Sequence, residues 1–311
     1  MSEGFAMKNF ILYPRPPYRL DLTVWVLRRL PVNAMDRWDG EAYRRVLVVD
    51  DLPVEVTVWQ IGAPAAPQLR VELRGAHLAP SIEERIRDLL TKMLGLDVDL
   101  TPFYRMARAD PKLTDLIGRF TGFKPPRLPT IFEAMVNGIA CQQLSLSVGL
   151  HLLNRLCATW GVERGGQHAF PRPEDLSLTR VEELRALGFS NRKSQWILDR
   201  ARALNEKSSD LEELFGMEDA EAATRLRQLP GFGRWTAQYV LLRGLGRLDV
   251  FPADDVGSQN KFKRWLSLQE RPDYAAIHQI IAHWRPYRGL IYFYLLLDQQ
   301  ARQGLLEEAG E

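Results

Sequence analysis

The sequence predicts an α+β protein, with an antiparallel sheet and helices in residues 1–100 and a mostly α-helical remainder. Two observations predict it. Apolar and polar residues alternate with period two in several short runs of the first part. Beyond about residue 101 that signal gives way to helical spacing.

In the first part, Leu20, Leu22, Val24 and Val26 alternate with Asp21, Thr23 and Trp25, which predicts a half-buried strand. Val46–Val49 is a short apolar run. Val54, Val56 and Val58 alternate with Glu55 and Thr57, and Leu69, Val71 and Leu73 repeat the pattern. Clusters of Gly, Pro and Asp, such as Gly62–Pro67, separate these runs. A helix then follows, with Ser81 and Glu84 as a capping box ahead of Ile86, Leu89, Leu90 and Met93.

In the second part, Thr130 and Glu133 form a capping box before Ile131, Phe132, Met135, Val136, Ile139 and Ala140 at helical spacing. Thr179 and Glu182 form another before Leu184 and Leu187, and Gly188 stops that helix. Further helices are predicted over 191–204, 218–229, 235–245, 256–266, 273–284 and 288–302. The last is apolar nearly all round between Leu290 and Leu297, as a buried core helix is.

Composition bounds the function. The chain has 311 residues, 46% of them apolar, enough for two or three domains with full cores. Its net charge is +2, so any surface for a polyanion is a local one. Cys141 and Cys157 are too few for a disulfide framework or a four-thiolate metal site, and both read as small buried hydrophobes in a reducing compartment. The run at Leu290–Leu297 is too short to span a bilayer, and no secretory signal pattern opens the chain. His77, His151, His168, His278 and His283 show no zinc spacing and read as structural.

The most informative segment is Leu229-Pro230-Gly231-Phe232-Gly233-Arg234-Trp235-Thr236-Ala237. One helix stops at Pro230 and another starts directly after Gly233. The glycines permit a tight turn and close approach of the backbone, and the new helix offers free N–H groups to an anion such as a DNA phosphate. Glu221–Arg247 holds five arginines and one acid, a basic setting. The glycines alone are equally compatible with a plain turn between helices. No strand precedes them and no Gly-Lys-Ser/Thr follows, so they form neither a dinucleotide fingerprint nor a Walker loop. Downstream lies Asp249-Val250-Phe251-Pro252-Ala253-Asp254-Asp255. A carboxylate there stabilises positive charge on a sugar or caps the next helix, and from the residues alone either aspartate could do either.

Hairpin and aspartate together resemble the helix-hairpin-helix superfamily of DNA glycosylases. Phe132-Glu133, Ile139–Gln143, Gly233–Tyr239, Leu242-Arg243-Gly244, Trp284–Arg288 and Pro16-Pro17-Tyr18 narrow the resemblance to the DNA-3-methyladenine glycosylase II family. It implies a two-lobed glycosylase core over 101–311. The central lobe spans about 130–246, with the hairpin at 221–245, and 101–129 joins 247–311 in the second lobe.

The resemblance also implies roles. Asp255 becomes the catalytic carboxylate and Asp254 the helix cap. Trp235, Tyr239 and Tyr287 form an aromatic base pocket, whose faces attract a cationic alkylated purine. Gln143, with Leu144 beside it and Gln142 supporting the loop, fills the hole left by an extruded base. Gly231, Gly233, Arg234 and Thr236 contact DNA. The backbone carbonyls of Arg227, Leu229 and Phe232 bind a structural Na+ or K+, and no other cofactor is required. The implied activity is monofunctional hydrolysis of the N-glycosidic bond in damaged double-stranded DNA, leaving an abasic site. It is expected of a monomer without membrane attachment, in the bacterial cytoplasm at the nucleoid. Two competing readings are a non-catalytic DNA-binding module and a glycosylase for oxidised bases. The first has no need of Asp255 beside aromatic residues. Members of the second carry a lysine on the second hairpin helix, where this chain has Trp235.

Overall fold

The computed structural model describes residues 6–207 and 210–306. The chain opens with β1 (Ala6–Leu12), α1 (Leu20–Arg28), β2 (Arg37–Trp38), β3 (Ala42–Val49), β4 (Leu52–Gln60), β5 (Leu69–Gly75) and α2 (Pro80–Met93). The five strands form one antiparallel sheet in the order β1-β5-β4-β3-β2. The link between β3 and β4 is the two-residue turn Asp50-Asp51, with φ of 51° and 63°. Left-handed backbone at both central positions matches the twist of the flanking strands.

The alternating run from Leu20 to Val26 is helix, not strand. Leu20, Leu22, Thr23, Val24, Trp25, Val26 and Leu27 are all buried. A helix enclosed on every side has no polar face, so the alternation of its β-branched and apolar residues mimics a strand. Gln60 on β4 fixes its start, accepting from Leu20 N–H (2.8 Å) and donating to the Tyr18 carbonyl (3.0 Å).

The helical part follows as α3 (Thr101–Arg108), α4 (Pro111–Arg119), α5 (Ile131–Cys141), α6 (Leu146–Trp160), a small hairpin of β6 (Glu163–Arg164) and β7 (Gln167–His168), α7 (Pro173–Ser177), α8 (Val181–Ala186), α9 (Asn191–Asn205), α10 (Asp219–Arg227), α11 (Arg234–Arg243), α12 (Val256–Trp265), α13 (Tyr274–Ile281) and α14 (Arg288–Arg302). The hairpin β6–β7 is the exception to the helical spacing expected after residue 101.

The expected caps differ in detail. Thr130 caps α5 through Glu133 N–H (3.0 Å), but the Glu133 side chain turns into the core to meet Arg45. Ser81 lies inside α2, which starts at Pro80 without a side-chain cap. The box placed at Thr179 and Glu182 sits one residue later, where Glu183 accepts from Arg180 N–H (2.8 Å). Gly188, at φ 103°, follows the end of α8.

Two apolar cores result. One joins the sheet to α2, α5, α6 and α9–α11, and the other joins α3 and α4 to α12–α14. The first core therefore crosses the expected domain boundary at residue 100. Helix α1 serves both cores, with Leu20, Val24 and Leu27 in the first and Leu22, Trp25 and Val26 in the second. Sheet and helices are also joined by charge. Arg45 on β3 donates to Asp36 (2.7 Å) and to both carboxylate oxygens of Glu133 on α5 (2.6 and 2.7 Å), and all three are buried.

Candidate active site

Helix α10 ends at Arg227, and the Leu229 carbonyl accepts from Phe232 N–H (3.0 Å) to close the turn. The two glycines of this turn do different work. Gly231 has φ 86°, and a Cβ there would lie 2.3 Å from the indole of Trp196 on α9. Its bare backbone is required by packing inside the protein. Gly233 is the N-cap of α11, and a Cβ there would meet nothing within 4 Å. Of the two, only Gly233 faces open space, with the unpaired N–H groups of a helix start behind it.

The other hairpin residues expected at DNA are partly engaged already. Arg234 is bidentate to Asp254 (2.6 and 2.7 Å), with its guanidinium carbon 3.6 Å from the centre of the Tyr274 ring. Thr236 is buried, and its hydroxyl accepts from Gln142 Nε2 (2.7 Å).

Opposite the hairpin, α5 ends in an irregular loop. Gln142 also donates to the Gly231 carbonyl (2.8 Å). Gln143 has φ 55°, and Leu144 and Val148 are exposed. Gln143 and Leu144 thus form the tip of the loop, while Gln142 ties it to the hairpin.

The roles expected of the two aspartates divide differently. Asp255, not Asp254, caps the next helix. It accepts from Gly257 N–H (3.3 Å), Ser258 N–H (3.1 Å) and Ser258 Oγ (2.6 Å), while Asp254 holds Arg234. Capping does not remove Asp255 from the site, for it lines a cleft of about 410 Å³. An adjoining hollow of about 640 Å³ runs from Asp255 to Gln143 and Gly233.

Trp235 and Tyr239 form one wall of the cleft, stacked with ring centroids 5.4 Å apart. Tyr287 does not join them. It stands at the start of α14, edge-on to Phe103 at 5.4 Å. The aromatic residue that α14 brings to the cleft is Tyr292, whose phenol burial holds well above its usual range.

Three basic residues line the cleft: Arg243 of the Leu242-Arg243-Gly244 motif, and Arg29 and Lys261, which carry no local sequence signal. Arg29, just past α1, donates to the Tyr239 hydroxyl (3.1 Å) and to Asn137 Oδ1 (2.6 Å). Arg243 donates to the carbonyls of Val26 (2.9 Å) and Leu27 (3.2 Å). Both guanidiniums are buried and neither of these acceptor sets includes a carboxylate. Lys261 completes the group, its amine pushed below the usual lysine range by burial. Gln300 fixes this corner by donating to the carbonyls of Trp25 (3.0 Å) and Arg29 (2.9 Å). The Trp235 indole N–H is buried without a partner among the described residues.

Among the described residues no cluster of His, Cys, Asp or Glu could hold a metal ion. Arg227 ends α10, where carbonyls lack helical donors, and the Leu229 and Phe232 carbonyls follow in the same turn.

The matching family model is that of the HhH-GPD superfamily base excision DNA repair proteins, over residues 136–286. A Bacillus subtilis DNA-3-methyladenine glycosylase is 32% identical over 216 residues, 68% of this chain and 71% of that protein. Bacillus subtilis YfjP is 34% identical over 166 residues, which span 53% of this chain and 58% of YfjP. The solved structure of the 3-methyladenine DNA-glycosylase from Archaeoglobus fulgidus superposes with a TM-score of 0.81 at 29% identity, covering 96% of this chain and all of that one. The chain belongs to the HhH-GPD superfamily of base excision DNA repair proteins and, within it, to the DNA-3-methyladenine glycosylases.

Proposed function

We propose that the cleft receives an alkylated purine flipped out of duplex DNA, and that Asp255 stabilises the positive charge growing on the sugar as water replaces the base. One observation carries this reading. Asp255 stands at the junction of the aromatic cleft and the open hollow along the hairpin, its carboxylate oriented by three donors. A fixed carboxylate needs no reorganisation when charge develops beside it. Trp235 and Tyr239 offer π faces to the base, and the start of α11 beside Gly233 offers N–H groups to a phosphate. Gln143 and Leu144 enter the gap left in the stack.

Base release is hydrolytic. The second residue after Gly233 is Trp235, which has no nucleophile, and Arg234 stays protonated. The product is an abasic site in an intact strand. The cation site is part of the same proposal. The carbonyls of Arg227, Leu229 and Phe232 would supply oxygen donors suited to Na+ or K+, whose charge would favour a phosphate near the turn. The enzyme works as a monomer at the nucleoid and needs no other cofactor. No described helix is long and apolar enough to cross a membrane.

The test is a panel of duplexes, each with one damaged base, assayed for free base and, without alkali, for strand breaks. Free base with intact strands is expected, and Asp255→Asn abolishes it. One observation favours a second reading, in which an amine carries the reaction: Lys261 lines the cleft with a lowered affinity for its proton. A borohydride-trapped adduct that disappears in Lys261→Met would replace hydrolysis with that reading.

A further inference from the structure

Helix α9 lies outside the cleft, yet two of its side chains reach the two loops that face DNA in the proposed complex. Lys193 is 9% exposed. Its amine donates to the carbonyls of Gln142 (2.6 Å) and Ala140 (3.1 Å). These carbonyls close α5, where the helix has lost its own donors and its dipole is negative. No described hydrogen bond or ion pair takes this ammonium to a carboxylate, and burial lowers its pKa, offset in part by Cys141. One turn along α9, Trp196 fills the volume that a side chain at Gly231 would occupy. Gln142 then donates across to the Gly231 carbonyl (2.8 Å) and Thr236 Oγ1 (2.7 Å). The contacts form a closed circuit from α9 through Lys193, Gln142 and Gly231 to Trp196 and back to α9. Next to the Gln142 carbonyl stands Gln143 at φ 55°, a conformation that a side-chain-bearing residue keeps only when its surroundings impose it.

We propose that Lys193 is a positioning residue for base extrusion, locking the Gln143–Leu144 tip to the hairpin turn so that wedge and phosphate anchor meet the duplex as one rigid body. The proposal rests on the glycosylase reading above. A wedge works only if its backbone does not yield when it enters the stack, and a flexible tip returns the cost of unstacking to the reaction. Lys193 is buried with its amine on the Gln142 and Ala140 carbonyls, so it acts through the loop it holds.

The experiment is single-turnover base release from two duplexes with the same lesion, one opposite its pairing base and one opposite a mismatch. Lys193→Met keeps the apolar stem and removes the donors. It is expected to slow release about tenfold or more on the paired lesion and less than about threefold on the mismatched one, with Lys193→Arg recovering part of the loss. In a Gln143→Gly background, where glycine adopts the left-handed backbone unaided, Lys193→Met should cost little more. Equal losses on both duplexes, or full additivity with Gln143→Gly, overturn the proposal. If Lys193→Met does not fold, Gln142→Leu cuts the circuit at its other link, and the same paired-over-mismatched pattern decides. A wild-type enzyme that releases no base from either duplex overturns the glycosylase reading as well, whereas normal wild-type activity with uniform losses overturns the latch alone.

Discussion

Buried arginines hold this protein in two regions, and the regions treat them differently. Where the sheet meets α5, Arg45 faces Asp36 and Glu133, and the Tyr43 hydroxyl also donates to Asp36 (2.8 Å). Both carboxylates there are held by the one guanidinium. In the cleft, Arg29 and Arg243 rest on carbonyls, an amide oxygen and a phenol, with Lys261 nearby and Asp255 as the facing carboxylate. In the first arrangement every member is held by another side chain of the cluster. The second leaves positive charge facing the open cleft, at a cost in stability the rest of the fold must offset.

The largest expected effect separates the regions most sharply. Asp255→Asn keeps the shape and capping ability of the side chain but loses its charge. Single-turnover base release should fall about a hundredfold or more, while the melting temperature and the affinity for an abasic duplex change little. A near wild-type rate would remove Asp255 from the chemistry. At the junction the reverse is expected. Arg45→Met leaves two buried carboxylates unpaired and should cost about 3–5 kcal/mol in urea denaturation, with base release per folded molecule unchanged. A smaller loss of stability accompanied by altered kinetics would mean that the regions are coupled.

The hairpin glycines sharpen the contrast on a smaller scale. Gly231→Ala should destabilise by about 1–3 kcal/mol, through a left-handed backbone and a clash with Trp196. Gly233→Val meets only open space, so stability should fall by no more than about 1 kcal/mol for the poorer N-cap, while affinity drops alike for duplexes of any sequence. Wild-type affinity should fall steeply as salt rises, and a flat salt profile would break the phosphate-anchor model. The smallest effect concerns Tyr287. Tyr287→Ala removes a ring contact worth about 1 kcal/mol and should leave the range of excised bases unchanged, whereas Tyr292→Ala should alter that range. A changed range in the Tyr287 variant would return it to the pocket.

Local patterns were legible in the sequence, and long-range partners were not. Strands β4 and β5 show because each has one polar face, and α14 shows because it is apolar nearly all round between Leu290 and Leu297. Helix α1 did not, because burial on all sides erases the period that marks a helix. Trp235, Tyr239 and Asp255, which line one cleft, belong to the hairpin motif and to the aspartate run downstream of it. The Trp284–Arg288 motif points to Tyr287 at the start of α14, whereas Tyr292 lies outside every motif and shows only through the side of the helix that turns to the cleft. The Asp254 and Asp255 roles depended on Arg234, which takes Asp254 away from the helix start. Arg29 and Lys193 had no neighbouring signal, since their partners lie at Tyr239 and at the end of α5. Such residues become visible only when the chain has folded back on itself.

The placement of Arg29 bears on how this protein could be cut and recombined. A gene fragment encoding only residues 101–311 would keep the hairpin, Asp255 and the stacked aromatics, and by motif it would look whole. It would lack the guanidinium that donates to Tyr239 and Asn137, and the backbone carbonyls on which Arg243 and Gln300 rest. The N-terminal layer is therefore not interchangeable cargo. Shuffling it between homologues would exchange one side of the cleft along with the sheet, so the two parts are expected to be inherited together.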